Sequence, residues 1–124
     1  MCFPSVAAAA AAINAAAARH GLTAPPGARS QGPRVYLATN SVSEAELAEL
    51  HAQLPGGYAR WSPDETLLAE QPEWVPTVEL LICAGAAAFV GTLPSTFSAS
   101  VLVQRDRLGR PRNTTSFFGM LPPW

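Results

Sequence analysis

The segment Val90–Phe97, which reads Val-Gly-Thr-Leu-Pro-Ser-Thr-Phe, carries the residue types that best fit the binding of an anionic ligand. A buried strand is expected to end at Val90, and Gly91 and Pro94 suit the tight turn that follows it. Ser95 suits the N-cap of the next helix, in which the N–H groups of Thr96, Phe97 and Ser98 have no partner inside the helix. Because the helix dipole adds partial positive charge there, the segment predicts a phosphate site that needs no lysine.

The same residues also fit purely structural roles. Ser95 and Thr96 equally suit a plain helix cap, and a phenylalanine such as Phe97 at the start of a helix often packs into a core. Both alternatives stay open from the sequence.

A second polar cluster, Thr39–Ser41, follows the β-branched and aromatic segment Arg34–Ala38, which predicts a short strand. A capping box begins at Ser43, so a helix is expected from there to about Leu54. The cluster therefore follows the carboxyl end of a predicted strand, where α/β sheets bind their ligands. Asn40 fits a ligand contact at this place and equally a loop residue with unusual backbone angles.

Helices and strands alternate along the chain. Helices are predicted at 5–20, 43–54, 75–86 and 95–108, with one helical turn near 64–70, and strands at 34–38, 58–61 and 87–91. This alternation is typical of an α/β fold with a Rossmann-like parallel sheet and flanking helices. Because three strands are few for a parallel sheet with both faces covered, we expect the chain to be part of a larger domain.

The composition argues against several classes of partner. Only 14% of the 124 residues are charged and the formal net charge is −1, so neither nucleic acid nor an anionic membrane surface is expected. The longest apolar run, Val78–Val90, is too short for a membrane span, which takes about 20 residues.

Histidine and cysteine give no sign of a metal site. His20 and His51 stand alone, without Cys, Asp or Glu at ligand spacing, so no metal is predicted. Cys83 lies in an apolar run and is interpreted as a small buried hydrophobe, and a disulfide with Cys2 stays open as an alternative.

Two groups of charged residues are assigned structural roles. Asp64 and Glu65 are adjacent, so they point apart on a helix and fit a solvated helix start better than an acid/base pair. The three residues Arg105–Arg107 fit a charge cluster near the carboxyl end of the last helix.

Four segments, taken in their order along the chain, resemble the motifs of a known family. The segments are Arg34–Asn40 (RVYLATN), Val78–Ser98 (VELLICAGAAAFVGTLPSTFS), Arg105–Pro111 (RDRLGRP) and Ser116–Met120 (SFFGM). Together they resemble the carboxy-terminal part of the GDP-fucose protein O-fucosyltransferases, most closely the branch that modifies EGF-like repeats. The likeness extends from about Val35 to Pro123.

The resemblance implies a metal-independent, inverting glycosyltransferase of GT-B architecture. Such an enzyme transfers fucose from GDP-fucose to a Ser or Thr hydroxyl of a folded acceptor, such as an EGF-like repeat, in the lumen of the endoplasmic reticulum. It needs no cofactor besides GDP-fucose as the donor substrate. By this likeness, residues 34–124 form the donor-binding part of the second Rossmann-like domain. Residues 1–33, which the likeness does not cover, are predicted from their composition to form an alanine-rich helix and a Pro/Gly loop.

The resemblance also assigns donor contacts residue by residue. In the family a Ser-Ser/Thr-Phe turn contacts the phosphates and the base of the donor, and it corresponds to Ser95, Thr96 and Phe97. The position after Ala-Thr, usually an aspartate that contacts the nucleoside, is Asn40 here. A charge-assisted hydrogen bond would therefore become a neutral one, about half as strong.

The family's glycine-rich loop and its His-x-Arg segment, whose arginine supports departure of the nucleoside diphosphate, have no counterpart in the 124 residues. No catalytic residue is therefore assigned. A non-catalytic nucleotide-sugar-binding remnant, or a truncated gene product, is the alternative hypothesis.

Overall fold

The computed structural model describes residues 5–24, 26–27, 32–39, 43–92 and 95–118, which form five α-helices and two short strands. The helices are α1 (Val6–Arg19), α2 (Glu44–Gln53), α3 (Glu65–Glu70), α4 (Trp74–Gly85) and α5 (Thr96–Arg107), and the strands are β1 (Phe89–Gly91) and β2 (Thr115–Phe117). Every helix predicted from the sequence is confirmed, with its ends within one residue of the prediction.

Side-chain caps explain why the helices begin where they do. The acceptors are Ser5 for the N–H of Ala8 (3.1 Å), Ser43 for Glu46 (3.4 Å), Asp64 for Leu67 (2.7 Å) and Ser95 for Ser98 (3.2 Å). Each bond satisfies one N–H group that the helix itself leaves without an acceptor. Asp64 therefore lies at a helix start, as the sequence predicted, and its carboxylate caps that helix.

The apolar run Val78–Val90 is divided between two elements. Its first part lies in α4 and its last residues form the beginning of β1. No helix within the described ranges has the length and apolar character that a membrane crossing requires.

Strands β1 and β2 form a two-stranded parallel sheet, with Phe89 opposite Thr115 and Gly91 opposite Phe117. Helix α5 connects them, which is the usual way to join neighbouring parallel strands. The sequence did not predict β2, because its three residues follow directly on the 3-10 turn Arg112–Thr114 and are too few to show a period.

The strands predicted at 34–38 and 58–61 are reduced to one parallel bridge, between Tyr36 and Ala59. The N–H of Leu37 donates to the carbonyl of Ala59 (3.0 Å), and the N–H of Ala59 donates to the carbonyl of Val35 (2.9 Å). Two residues later the N–H of Trp61 donates to the phenol oxygen of Tyr36 rather than to a strand. The predicted three-stranded sheet is therefore wrong for the described residues, in which two separate parallel pairs stand instead.

Two apolar clusters cover the two faces of these strands. The α1–α2 cluster is built on Ala10, Leu50 and Leu54, with Val35, Leu37 and Tyr58 packed against it. The α4–α5 cluster is built on Cys83, Ala84 and Val101, with Tyr36, Ala38, Phe89 and Phe97 packed against it. Residues 35–38 alternate between the clusters, as the side chains of an extended strand do. The molecule is thus a mixed α/β structure with parallel pairing and helices on both faces.

Arg105, on α5, ties three elements together. Its side chain is 1% exposed. The acceptors of its guanidinium are the carbonyl oxygens of Cys83, Ala84, Ala86 and Ala87 and the hydroxyls of Thr114 and Thr115, at 2.7–3.5 Å. The cation therefore joins α5 to the carboxyl end of α4, where the helix dipole is negative, and to the beginning of β2. This confirms the predicted structural role of the Arg105 position.

Candidate functional site

A cleft of about 1030 Å³ lies between the two parallel pairs. It is lined by apolar side chains from α1 and α4 and by the strands themselves. Residues that lie just beyond a strand, or in the cap or first turn of the helix after it, also line this cleft. Glu46 and Phe118 are among them, and so are five residues next to the segments that the sequence singled out: Thr39, Ser43, Thr92, Phe97 and Ser98. We call these five residues the rim. Within each pair the strands run parallel, and the rim residues follow the carboxyl ends of residues 35–38 and of β1, the position where α/β proteins bind ligands.

The turn between β1 and α5 is held by two serine hydroxyls. Ser95 has an extended backbone (φ −81°, ψ 125°) and its Oγ accepts the N–H of Ser98 at 3.2 Å. The Oγ of Ser98, a residue 5% exposed, accepts the N–H of Thr92 at 3.0 Å. The capping role of Ser95 that the sequence left open as an alternative is therefore present.

The backbone N–H groups of Thr96 and Phe97 stand at the start of α5, shortly after Leu93 and Pro94, which lie outside the described residues. Among the described residues, no acceptor lies within hydrogen-bond reach of the backbone N–H of Thr96 or of Phe97. The Thr96 side chain is exposed, and its carbonyl accepts the hydroxyl of Ser100 at 3.0 Å. The pair of N–H groups and the positive end of the α5 dipole make this place suited to an anion.

Phe97 occupies both of the settings that the sequence left open. Its ring is half-buried, packs against the α4–α5 cluster and also lines the cleft. One part of this side chain therefore contributes to packing, while another part faces the space in which a ligand would lie.

The second predicted polar cluster is only partly described. Asn40 lies outside the described residues, whereas its neighbour Thr39 lines the cleft and its carbonyl accepts the guanidinium of Arg60 at 2.8 Å. Ser43, the cap of α2, lines the same cleft. The segments on either side of Asn40 thus meet Phe97 and Ser98 at one cleft, although more than 50 residues separate them in the sequence.

Sequence reasoning missed Thr92 and the side chain of Ser98 as parts of the rim. It expected the N–H of Ser98 to face a phosphate, and this is wrong, because that N–H donates to Ser95 Oγ. Ser98 lies three positions after the cap Ser95, in the first turn of α5, where a serine side chain is able to turn back toward the preceding strand. The Ser-x-x-Ser spacing was the only local sign of it, and the turn geometry needed to bring Thr92 to it is not written in the residue types.

Two titratable side chains that line the cleft have raised pKa values. Burial, the largest cause, raises the pKa of the Cys83 thiol to about 11, so this cleft-lining sulfur is protonated at neutral pH. Burial also raises the pKa of Tyr36, whose phenol donates to a Glu79 oxygen at 3.0 Å. Within the described ranges, no group of three or more His, Cys, Asp or Glu side chains is placed to hold a metal ion. The rim therefore offers hydroxyls, N–H groups and one aromatic face to a ligand.

Compared with models of protein families and with curated proteins, the chain matches none.

Proposed function

We propose that the rim binds the nucleoside diphosphate of GDP-fucose and that the chain is the donor-binding part of a protein O-fucosyltransferase. The observation that carries the proposal is the meeting, in one cleft, of the α5 amino end with the segment that surrounds Asn40. These are the two places to which the family resemblance assigns donor contacts. Residues brought together from distant parts of a chain at the strand ends form the usual ligand site of a parallel α/β fold.

In the proposed complex the diphosphate lies at the start of α5. The N–H groups of Thr96 and Phe97 donate to its oxygens, and the Thr96 hydroxyl adds a further donor. The Phe97 ring faces the cleft and offers an apolar surface to the guanine. Asn40 contacts the nucleoside from the opposite segment, through a neutral hydrogen bond. Ser95 acts on the diphosphate mainly through the helix start that its cap defines.

The proposal extends to the whole enzyme in the terms of the resemblance. The acceptor is a Ser or Thr hydroxyl on a folded domain such as an EGF-like repeat, and the location is the lumen of the endoplasmic reticulum. The alternative is a chain that binds the nucleotide sugar and does not transfer fucose.

Calorimetric titration with GDP tests the diphosphate site through Thr96→Pro. Proline is tolerated at the first position of a helix, and the extended backbone of Ser95 suits a residue that precedes proline. The change removes one N–H that has no acceptor among the described residues, so α5 should persist. We expect GDP affinity to fall by about 10- to 150-fold, as is typical of a lost hydrogen bond to a charged group.

Two further variants make the result specific. Thr96→Val removes the hydroxyl and keeps the N–H, so it should weaken GDP binding less than Thr96→Pro. Glu65→Pro places proline at the first position of α3, outside the cleft, and should leave GDP affinity unchanged. Equal GDP affinity in the Thr96→Pro variant and the parent chain would refute the site. Fucose transfer to an EGF-like acceptor, assayed beside the titration, separates a transferase from the non-catalytic alternative.

A further inference from the structure

The two parallel pairs that flank the cleft each have a backbone edge directed away from their partner strand. In residues 35–37 the bonds to Ala59 come from Val35 and Leu37, so the N–H and carbonyl of Tyr36 lie on the opposite edge. In β1 the register with β2 places the bonding groups on Phe89 and Gly91, and those of Val90 on the opposite edge.

These two edges face one another across the cleft. Tyr36, Ala38 and Val90 all line it, and all three are half-buried. Within the described part of the chain, none of their backbone N–H groups has an acceptor. Half-buried backbone groups without partners are unusual in folded proteins, and a strand edge is the most frequent place at which another strand adds. We call the space between the two edges the slot.

The helices on both faces define what kind of segment the slot accepts. On one face Val6, Ala9 and Ile13 of α1 line the cleft, and on the other face Ile82 and Cys83 of α4 do. A strand in the slot would be covered on both sides by apolar helices. Such strands are continuously apolar, rather than alternately apolar and polar.

The position of α1 fixes the direction of this strand and its connection. Helices α1 and α2 share one cluster, so they lie on the same face of the strands. Helix α1 precedes residues 35–38 in the chain. A crossover from an earlier strand through α1 into residues 35–38 is right-handed only if that earlier strand lies beside residues 35–38 on the side away from Ala59. That side is the slot. Ser5 and Val6, at the amino end of α1, line the cleft, so a preceding segment would leave from the slot itself.

We infer that the slot binds an extended, continuously apolar strand that runs parallel to β1, pairs with the edges of Tyr36 and Val90, and continues into α1. This strand joins the two pairs into one five-stranded parallel sheet. Its place is also the point at which the helices change from one face to the other, and ligands of α/β sheets bind at the carboxyl end of such a point. The inference stands on the strand edges and on α1, independently of GDP binding.

Hydrogen exchange on a fused chain tests the slot. The full chain is preceded, ahead of Met1, by a designed strand of about six Val and Ile residues. The matched control carries the same extension with alternate residues replaced by proline, which cannot form a sheet ladder. We expect the amide hydrogens of Tyr36, Ala38 and Val90 to exchange at a rate at least roughly tenfold lower in the strand-fused chain than in the control.

The amides of Leu37 and Gly91 already pair within their own strands and report global stability. Equal exchange of the Tyr36 and Val90 amides in the two fused chains would overturn the inference. Protection of those amides in the unfused chain that rises with concentration, together with a dimer in sedimentation, would assign the slot to a second copy and would likewise overturn it.

Val90→Pro gives a second test by thermal unfolding. The change removes the N–H on the slot edge and keeps the groups of Phe89 and Gly91 that pair with β2. If the fused strand pairs with Val90, the substitution should lower Tm by roughly 3–8 °C more in the strand-fused chain than in the proline control. An equal loss of Tm in the two chains would count against pairing.

Discussion

Arg105 is a cation held almost entirely by neutral oxygen atoms. Burial lowers the pKa of its guanidinium, yet arginine keeps its proton in proteins. Carbonyl oxygens at the end of α4 supply most of the compensation, because they form the negative end of that helix. The neighbouring Asp106 pairs instead with Arg112 at 2.8 Å, on the surface, where ion pairs contribute little to stability. The sequence indicated a structural cluster here, but not which of its members is buried.

Arg105→Met should be severely destabilising. The substitution leaves buried carbonyl and hydroxyl oxygens without donors, and we expect a loss of about 3 kcal/mol or more in the free energy of unfolding. Arg105→Lys keeps the charge but has fewer hydrogen-bond donors, so its free energy of unfolding should lie between those of the parent chain and of Arg105→Met. Urea unfolding measures both variants. Arg107→Met, on the exposed side of the same helix, should change the free energy by no more than about 0.5 kcal/mol. Similar losses for Arg105→Met and Arg107→Met would contradict the role given to Arg105.

The helices were predictable from the sequence and the sheet was not, and the difference has a physical origin. A cap such as Ser95 or Asp64 acts on residues three positions away, so its signal is local. A three-residue strand such as β2 is fixed by the partner with which it pairs, through contacts distant in sequence. The bridge between Tyr36 and Ala59 likewise depends on a contact between residues distant in sequence.

Gly91→Ala should weaken the pairing of β1 with β2. A Cβ at this position would lie 2.8 Å from the Phe117 ring and 2.9 Å from the Phe89 ring, so both rings must shift. Overpacking of this kind costs roughly 1–3 kcal/mol. Thermal unfolding should therefore show a lower Tm.

The matched control is Gly85→Ala, at the carboxyl end of α4. A Cβ there meets no atom within 4 Å, and alanine favours helix over glycine by about 1 kcal/mol. This variant should keep or raise Tm. A Gly91→Ala variant as stable as the parent chain would show that the two rings move aside freely.

At the scale of the molecule, two sets of strands share one cleft, with α1 and α2 on one face of the strands and α4 and α5 on the other. The alternation of helices and strands predicted this α/β class and placed polar residues after the strands. It did not predict that residues 35–38 and β1 stand apart, because their separation depends on what lies between them. The rim was predicted in part: Phe97 belongs to it, Ser95 and Thr96 lie next to it in the sequence but are not among the residues that line the cleft, and Asn40 lies outside the described residues.

The stability of the whole molecule should decrease in alkaline solution. The pKa of Cys83 rises from its ordinary value of 9.0 to about 11 on folding, so the folded state holds a proton that the unfolded state releases first. Stability from this group is complete below pH 9 and is lost between about pH 9 and 11, at about 1.4 kcal/mol per pH unit. The raised pKa of Tyr36 acts in the same direction at somewhat higher pH.

Urea unfolding at a series of pH values measures this dependence. In Cys83→Ala the part of the slope that begins near pH 9 should disappear, while the part due to Tyr36 remains. An unchanged slope in Cys83→Ala would mean that the thiol is not the group responsible.

The hydrogen bond from the Thr92 N–H to Ser98 Oγ marks a boundary. Thr92 lies two residues after Val90, so its N–H would be the next group on the same edge of β1 to bond an added strand. Ser98 already occupies that group, and the edge therefore ends at Val90. Pairing of an added strand with β1 would therefore not extend beyond Val90, and the part of the cleft beyond Thr92 would stay open to a small molecule. If both proposals hold, the hydroxyl of Ser98 thus separates the part of the cleft in which an added strand pairs with β1 from the part in which GDP binds.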